Sequence, residues 1–152
     1  MFQSRIRRTP AGEIGIDLPE EERALLRQVA AELTALLGDD MPDPSLRRLF
    51  PPAYEDESRE REYRELTRAN LLSGRERALE VLAETADRDL LTEEEADAWL
   101  RALNDLRLVL GTRLDVTEDL DWDAVGPDHA HAQELALYAY LSWLQEQLVE
   151  AL

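Results

Sequence analysis

The sequence predicts a mainly α protein, a helical bundle of four to five helices with a small N-terminal β-hairpin. Three observations predict it. Apolar residues recur at spacings of three and four through most of the chain, the period of a helix with one buried face. Helix-start signals stand at Pro19-Glu20-Glu21-Glu22 and at Thr92-Glu93-Glu94-Glu95. Strand-like alternation is confined to the first 17 residues. At 152 residues one domain is expected, hairpin over 1–18 and bundle over 19–152, large enough to bury roughly 70% of its unfolded surface.

The hairpin comes first. Phe2, Ser4, Ile6 and Arg8 alternate with Gln3, Arg5 and Arg7, Pro10-Ala11-Gly12 makes a turn, and Ile14 and Ile16 share one side of the return run. A hairpin alone is marginal in water, so it must pack on helices or pair with another chain. The basic face with Arg5 and Arg7 is expected to pair with the protein's own glutamates or guard a sheet edge; an acidic partner is the alternative.

The first helix starts at Pro19, where proline suits the opening turn and three carboxylates complement the positive dipole. Leu25, Leu26, Val29, Leu33, Leu36 and Leu37 give its buried face, and Gly38 closes it. Asp43-Pro44 caps a short helix through Phe50, which Pro51-Pro52 ends. From Asp56 to about Ala86 the pattern is helical again. Glu57–Arg61, Glu60–Arg64 and Arg61–Glu65 make a solvated face, Ser73-Gly74-Arg75-Glu76 is a point of restart, and Leu72, Leu79, Leu82 and Ala86 are buried. The capping box at Thr92 opens a helix ending near Gly111 to Arg113. Asp115 to Pro127 is an acidic loop anchored by Trp122. The last helix, Asp128 to Leu152, carries one seam of Leu137, Leu141, Leu144 and Leu148 and a second of Leu135, Tyr138, Ser142, Val149 and Leu152, widened by Tyr140 and Trp143. A helix apolar nearly all round is central to a bundle or shared with a second copy, so central burial is expected and a homodimer is the alternative.

The stretch WLRALNDLRLVLGTRL, Trp99 to Leu114, divides into three faces. Trp99, Leu103, Leu106 and Leu110 form a narrow apolar stripe. Leu100, Asn104, Arg107 and Gly111 share a neighbouring face, and Arg101, Asp105 and Leu108 point away. An Asn, an Arg and a Gly aligned beside a core seam mark a place of close packing or of docking. The first reading has Asn104 bonding a loop backbone, Arg107 meeting a rim carboxylate and Gly111 permitting close approach or ending the helix. The second has Leu100, Asn104, Arg107 and Arg113 bordering a groove for a protein partner, since an arginine fork binds carboxylate bidentately while burying its stem.

Composition narrows the function. All 17 basic residues are arginine, against 34 Asp and Glu, for a net charge of −17. Such a surface repels phosphate, so direct nucleic-acid binding is not expected, while a basic protein is attracted. No run of 18 apolar residues predicts a membrane span, and Met1 to Glu22 does not read as a secretory signal, so the expected location is cytoplasmic. There is no cysteine, no phosphate-cradling glycine loop and no H-E-x-x-H pair. His129 and His131, two apart, do not face the same way on a helix and are read as ordinary surface histidines. No catalytic residue, metal or cofactor is expected; the protein reads as a non-enzyme.

The string LNDLRLVLGTRL at 103–114, with SLRRLFPPAYEDE at 45–57 and REYRELTRANLL at 61–72, resembles an actinobacterial family of domains of unknown function that includes the AosR-like oxidative-stress transcriptional regulators. The resemblance runs from about Leu18 to the end of the chain. It implies a regulator that senses oxidant through a cysteine pair and acts on transcription by engaging an alternative sigma factor. The chain departs from that pattern in having no cysteine, so no thiol switch is carried over. A general protein adaptor and a small-molecule sensor with a ligand between its helices are the rival readings; a cavity lined by Asn104 and Arg107 would favour the sensor.

Overall fold

A computed structural model describes residues 5–37, 73–114 and 132–152 of the chain. In order these form β1 (Ile6–Arg8), β2 (Ile14–Ile16), α1 (Glu20–Leu37), α2 (residues 73–85), β3 (Leu90–Leu91), α3 (Glu93–Leu114) and α4 (Ala132–Ala151). The protein is mainly α, with four helices and a small antiparallel sheet among the described residues.

The hairpin forms as its turn chemistry dictates. Ile6 pairs with Ile16 and Arg8 with Ile14. In the loop, Thr9 N–H donates to Glu13 O at 2.8 Å and Gly12 N–H to Thr9 O at 3.0 Å. Gly12 sits at φ +87°, a left-handed conformation that suits glycine. The pair of strands expected from sequence is in fact a three-stranded sheet in the order β1-β2-β3. Ile14 pairs with Leu91 and Gly15 with Leu90, so the hairpin is completed by a two-residue strand from the same chain.

Ile6, Ile14, Ile16 and Leu91 all fall below 5% exposure and point into the helices. There they join Leu26, Leu33, Leu79, Leu82, Trp99, Leu103, Leu141, Leu144 and Leu148 in one core. Trp99 is fully buried and donates its indole N–H to Thr85 Oγ1 at 2.6 Å, which satisfies the one polar atom of the largest core side chain. The Thr92 capping box closes reciprocally: Glu95 N–H donates to Thr92 Oγ1 at 3.1 Å and Thr92 N–H to Glu95 Oε1 at 2.9 Å. α3 runs through Leu114, and Gly111 is buried inside it instead of ending it.

α4 lies along α3 with opposite sense. Arg107 of α3 reaches Ser142 and Gln145 of α4, and at the other end Arg8 bonds both Glu93, which opens α3, and the Ala151 carbonyl, which closes α4. Central burial of α4 is not observed. Leu135, Leu141, Leu144 and Leu148 are buried, whereas Ala136, Ala139, Val149 and Leu152 are exposed. The helix reads apolar all round because its outer positions include alanines, which favour helix without needing burial. Ser73 is already helical, and Leu79 and Leu82 are buried as their spacing predicts. The readings of Gly38, of residues 43–72, and of Trp122, His129 and His131 in 115–131 lie outside the described residues.

Candidate functional site

On the face of α3 that carries Leu100, Asn104, Arg107 and Gly111, Arg107 reaches across to α4. Arg107 Nε donates to Ser142 Oγ at 2.9 Å, one terminal nitrogen donates to Gln145 Oε1, and the guanidinium stands 5.5 Å from the centre of the Tyr138 ring. Ser142 is itself tied back to the Tyr138 carbonyl at 2.9 Å. Residues 100, 104, 107 and 111 share a helix face, so the contacts of Arg107 fix where α4 runs. Gly111 is buried as well. Leu100 packs partly against the core and Asn104 is half-buried. Arg107 meets a hydroxyl, an amide and an aromatic ring; the rim carboxylate named in the packing reading is not among these contacts. Arg113 belongs to the last turn of α3, and its side chain lies outside the described residues.

The opposite flank of α3 departs from the sequence reading. Asp105, expected to point away from the core, is only 4% exposed and accepts a hydrogen bond from Arg75 of α2. Burial pushes its carboxyl above the usual value of 3.8 because desolvation outweighs the Arg75 charge beside it. Asp105 falls between Ala102 and Val109 at spacings of three and four, both buried, so that side of the helix faces α2.

Arg23 was also missed. It occupies the buried stripe of α1 with Leu26, Ala30, Leu33 and Leu37, and is 6% exposed. Its Nε donates to Leu18 O at 2.8 Å. One terminal nitrogen donates to Ala86 O at 3.1 Å and Arg88 O at 2.7 Å, the other to Ile16 O at 3.2 Å and Asp89 Oδ1 at 3.1 Å. The guanidinium thus binds the end of β2 and the α2–β3 turn to α1. Its position at the start of a spaced apolar stripe was the available signal.

The hairpin arginines find partners within the protein. Arg5 pairs with Glu22 at 2.7 Å and lies 5.8 Å from the Trp143 ring; Arg8 pairs with Glu93 at 2.6 Å. Tyr140, 6.0 Å from Trp143, has its phenol pushed above the ordinary value by burial and then by the Glu22 carboxylate. Among the described residues no group of three or more His, Cys, Asp or Glu is placed to hold a metal, and no helix is long and apolar enough to cross a membrane.

One cleft forms where α1, α3 and α4 meet, lined by Val29, Leu33, Leu36, Leu106, Val109, Leu110 and neighbours, with Glu32 on its wall. Asn104 and Arg107 are not part of that lining.

The chain belongs to the family described as Domain of unknown function (DUF2017), whose model matches residues 3–152. Relatives carry a more particular name. The oxidative stress regulator AosR of Mycobacterium bovis and that of Mycobacterium tuberculosis are each 32% identical to this chain over 130 residues, covering 70% of it and 57% of their own length. A Mycobacterium leprae protein provisionally given the same name is 32% identical over 128 residues, covering 72% of this chain and 58% of its own. The chain thus matches less than two thirds of the length of these relatives. No solved structure matches it.

Proposed function

We propose that this protein is a non-enzymatic, cytoplasmic regulator that works by protein–protein contact, acting on transcription through an alternative sigma factor of RNA polymerase. The observation that carries this reading is the family relationship, in which relatives 32% identical are named oxidative stress regulators. The net charge of −17 supports a protein partner over nucleic acid, since phosphate is repelled and a basic protein surface is attracted. The chain holds no cysteine, so its own residues cannot form a disulfide switch; regulation by this chain rests on binding.

The docking surface in this reading is the solvent margin of the α3–α4 seam, with Leu100, Asn104, Arg107 and Arg113. Arg107 also holds α4 in place, and the two roles separate in one substitution. Arg107→Ala is expected to loosen the seam by about 1–2 kcal/mol, the scale of hydrogen bonds made by a charged donor, and to abolish sigma-factor binding while circular dichroism still shows a folded helical chain. The test is calorimetric titration of the intact chain against purified alternative sigma factors of an actinobacterial host. A saturable complex is expected. No complex with any of them, sequence-selective retention of duplex DNA at ordinary ionic strength, or turnover of a metabolite overturns the proposal.

A further inference from the structure

We infer that the cleft between α1, α3 and α4 accepts one apolar side chain from a basic amphipathic helix of another protein. The cleft opens on the α1 side of the α3–α4 pair, one helical turn from Arg107 at Leu110, where the second half of α1, the second half of α3 and the first half of α4 converge. Its lining is Val29, Leu33 and Leu36 from α1, Leu106, Val109 and Leu110 from α3, and Leu137 and Leu141 from α4, with Glu32 the one polar member. Its open volume is about 60 Å³. That is several times what a single water needs, yet eight of nine lining residues give water nothing to bond, so an aliphatic group suits the space better.

Charge decides which aliphatic group. Glu32 is exposed at the wall, where its Oε1 accepts a hydrogen bond from Gln28 at 3.3 Å. Leu33 and Leu36 belong to the end of α1, whose last turn has no basic residue, so the negative end of that helix dipole is not offset by a side chain of its own turn. The whole chain adds its excess of acid. An arginine or lysine one helical turn from the inserted leucine therefore meets Glu32 and the α1 terminus favourably, and an acidic flank is repelled. Residues one turn apart share a helix face, so a helix delivers both groups together.

The inference shares with the proposed function only the premise that the chain meets other polypeptides. A sigma factor bound solely through the α3–α4 seam leaves that function intact and removes this inference. The experiment uses two synthetic helical peptides with the same leucine stripe at i, i+3, i+4 and i+7, one flanked by arginines and one by glutamates. They are titrated into the full chain carrying labelled methyl groups. Saturable shifts at Leu36, Leu110 and Leu137 are expected with the arginine peptide, which should bind about tenfold or more tighter than its acidic counterpart at moderate salt. Glu32→Arg, at an exposed position, should narrow or invert that preference while leaving the spectrum of the free chain otherwise unchanged. Equal affinity for both peptides, or shifts that avoid these methyls, overturns the inference. Cleft shifts that follow the chain's own concentration would assign the site to a second copy, and methyl contacts to another segment of the same chain would assign it internally; either also overturns it.

Discussion

Arg23 shows how much structure one side chain can carry. Five acceptors on two stretches of chain, 16–18 and 86–89, surround its guanidinium, and four of them are backbone carbonyls. Removing it strands partly buried carbonyls, each costing roughly 1–3 kcal/mol when unsatisfied, so Arg23→Ala should destabilise the fold by about 3 kcal/mol in urea denaturation. Arg23→Lys should not restore it, because an ammonium has three donors on one atom and lacks the planar fork. Asp89, with its side chain 90% exposed, adds little as an ion pair, and Asp89→Asn should be close to neutral. Asp105 makes a different prediction. Its folded-state pKa is raised, so the native chain binds a proton more tightly than the unfolded chain. The stability from that proton is fully present below 3.8 and is lost as pH rises through the raised folded value. The unfolding free energy of wild type relative to Asp105→Asn should therefore fall across that window and level off above it. A difference that stays flat with pH would show that the Arg75 charge cancels the effect of burial, and one that rises would show that it outweighs it.

At the level of elements, what the sequence makes legible is whatever local chemistry specifies. The Thr92 capping box, the acidic opening of α1 and the Gly12 turn each form as their residues require, because each depends on neighbours within four positions. Thr92→Ala should cost about 1 kcal/mol, the usual worth of a side-chain N-cap, as a shift of the denaturation midpoint with unchanged slope. Elements defined by distant partners are not legible in this way. β3 is two residues, Leu90-Leu91, too short to show alternation, and exists because Ile14 and Gly15, far earlier in the chain, offer it an edge. Asp105 looks like a surface residue until α2 supplies Arg75. The face of Leu100, Asn104, Arg107 and Gly111 was recognisable as unusual, but only the position of α4 shows that Arg107 meets Ser142, Gln145 and Tyr138 there. α4 is the reverse case: its composition suggested burial on all sides, and the exposed alanines show that a helix can be apolar in letter while packing through one face.

For the whole molecule, charge is the strongest influence that packing does not settle. Arg5–Glu22 ties the hairpin to α1, Arg8–Glu93 ties it to α3, and Arg27–Glu20 braces the start of α1. Each such exposed or half-exposed pair is worth about 0–1 kcal/mol and is weakened by salt. Opposing them is an excess of 17 negative charges on 17.4 kDa, whose mutual repulsion favours expansion of the chain. Raising ionic strength from ~0.01 M to ~0.15 M shortens the screening length from about 30 Å to about 8 Å. Repulsion spread across the surface acts over longer distances than contact pairs, so screening removes more of the repulsion than of the attraction. The melting temperature followed by circular dichroism should accordingly rise over that range by a few degrees, about 1 kcal/mol for a domain of this size. The same screening should slow association with a basic partner, since the long-range attraction that speeds encounter is what salt removes. A melting temperature that falls with salt would mean that the arginine pairs outweigh the acidic excess, and would turn the acidic surface from a source of strain into a fastened part of the fold.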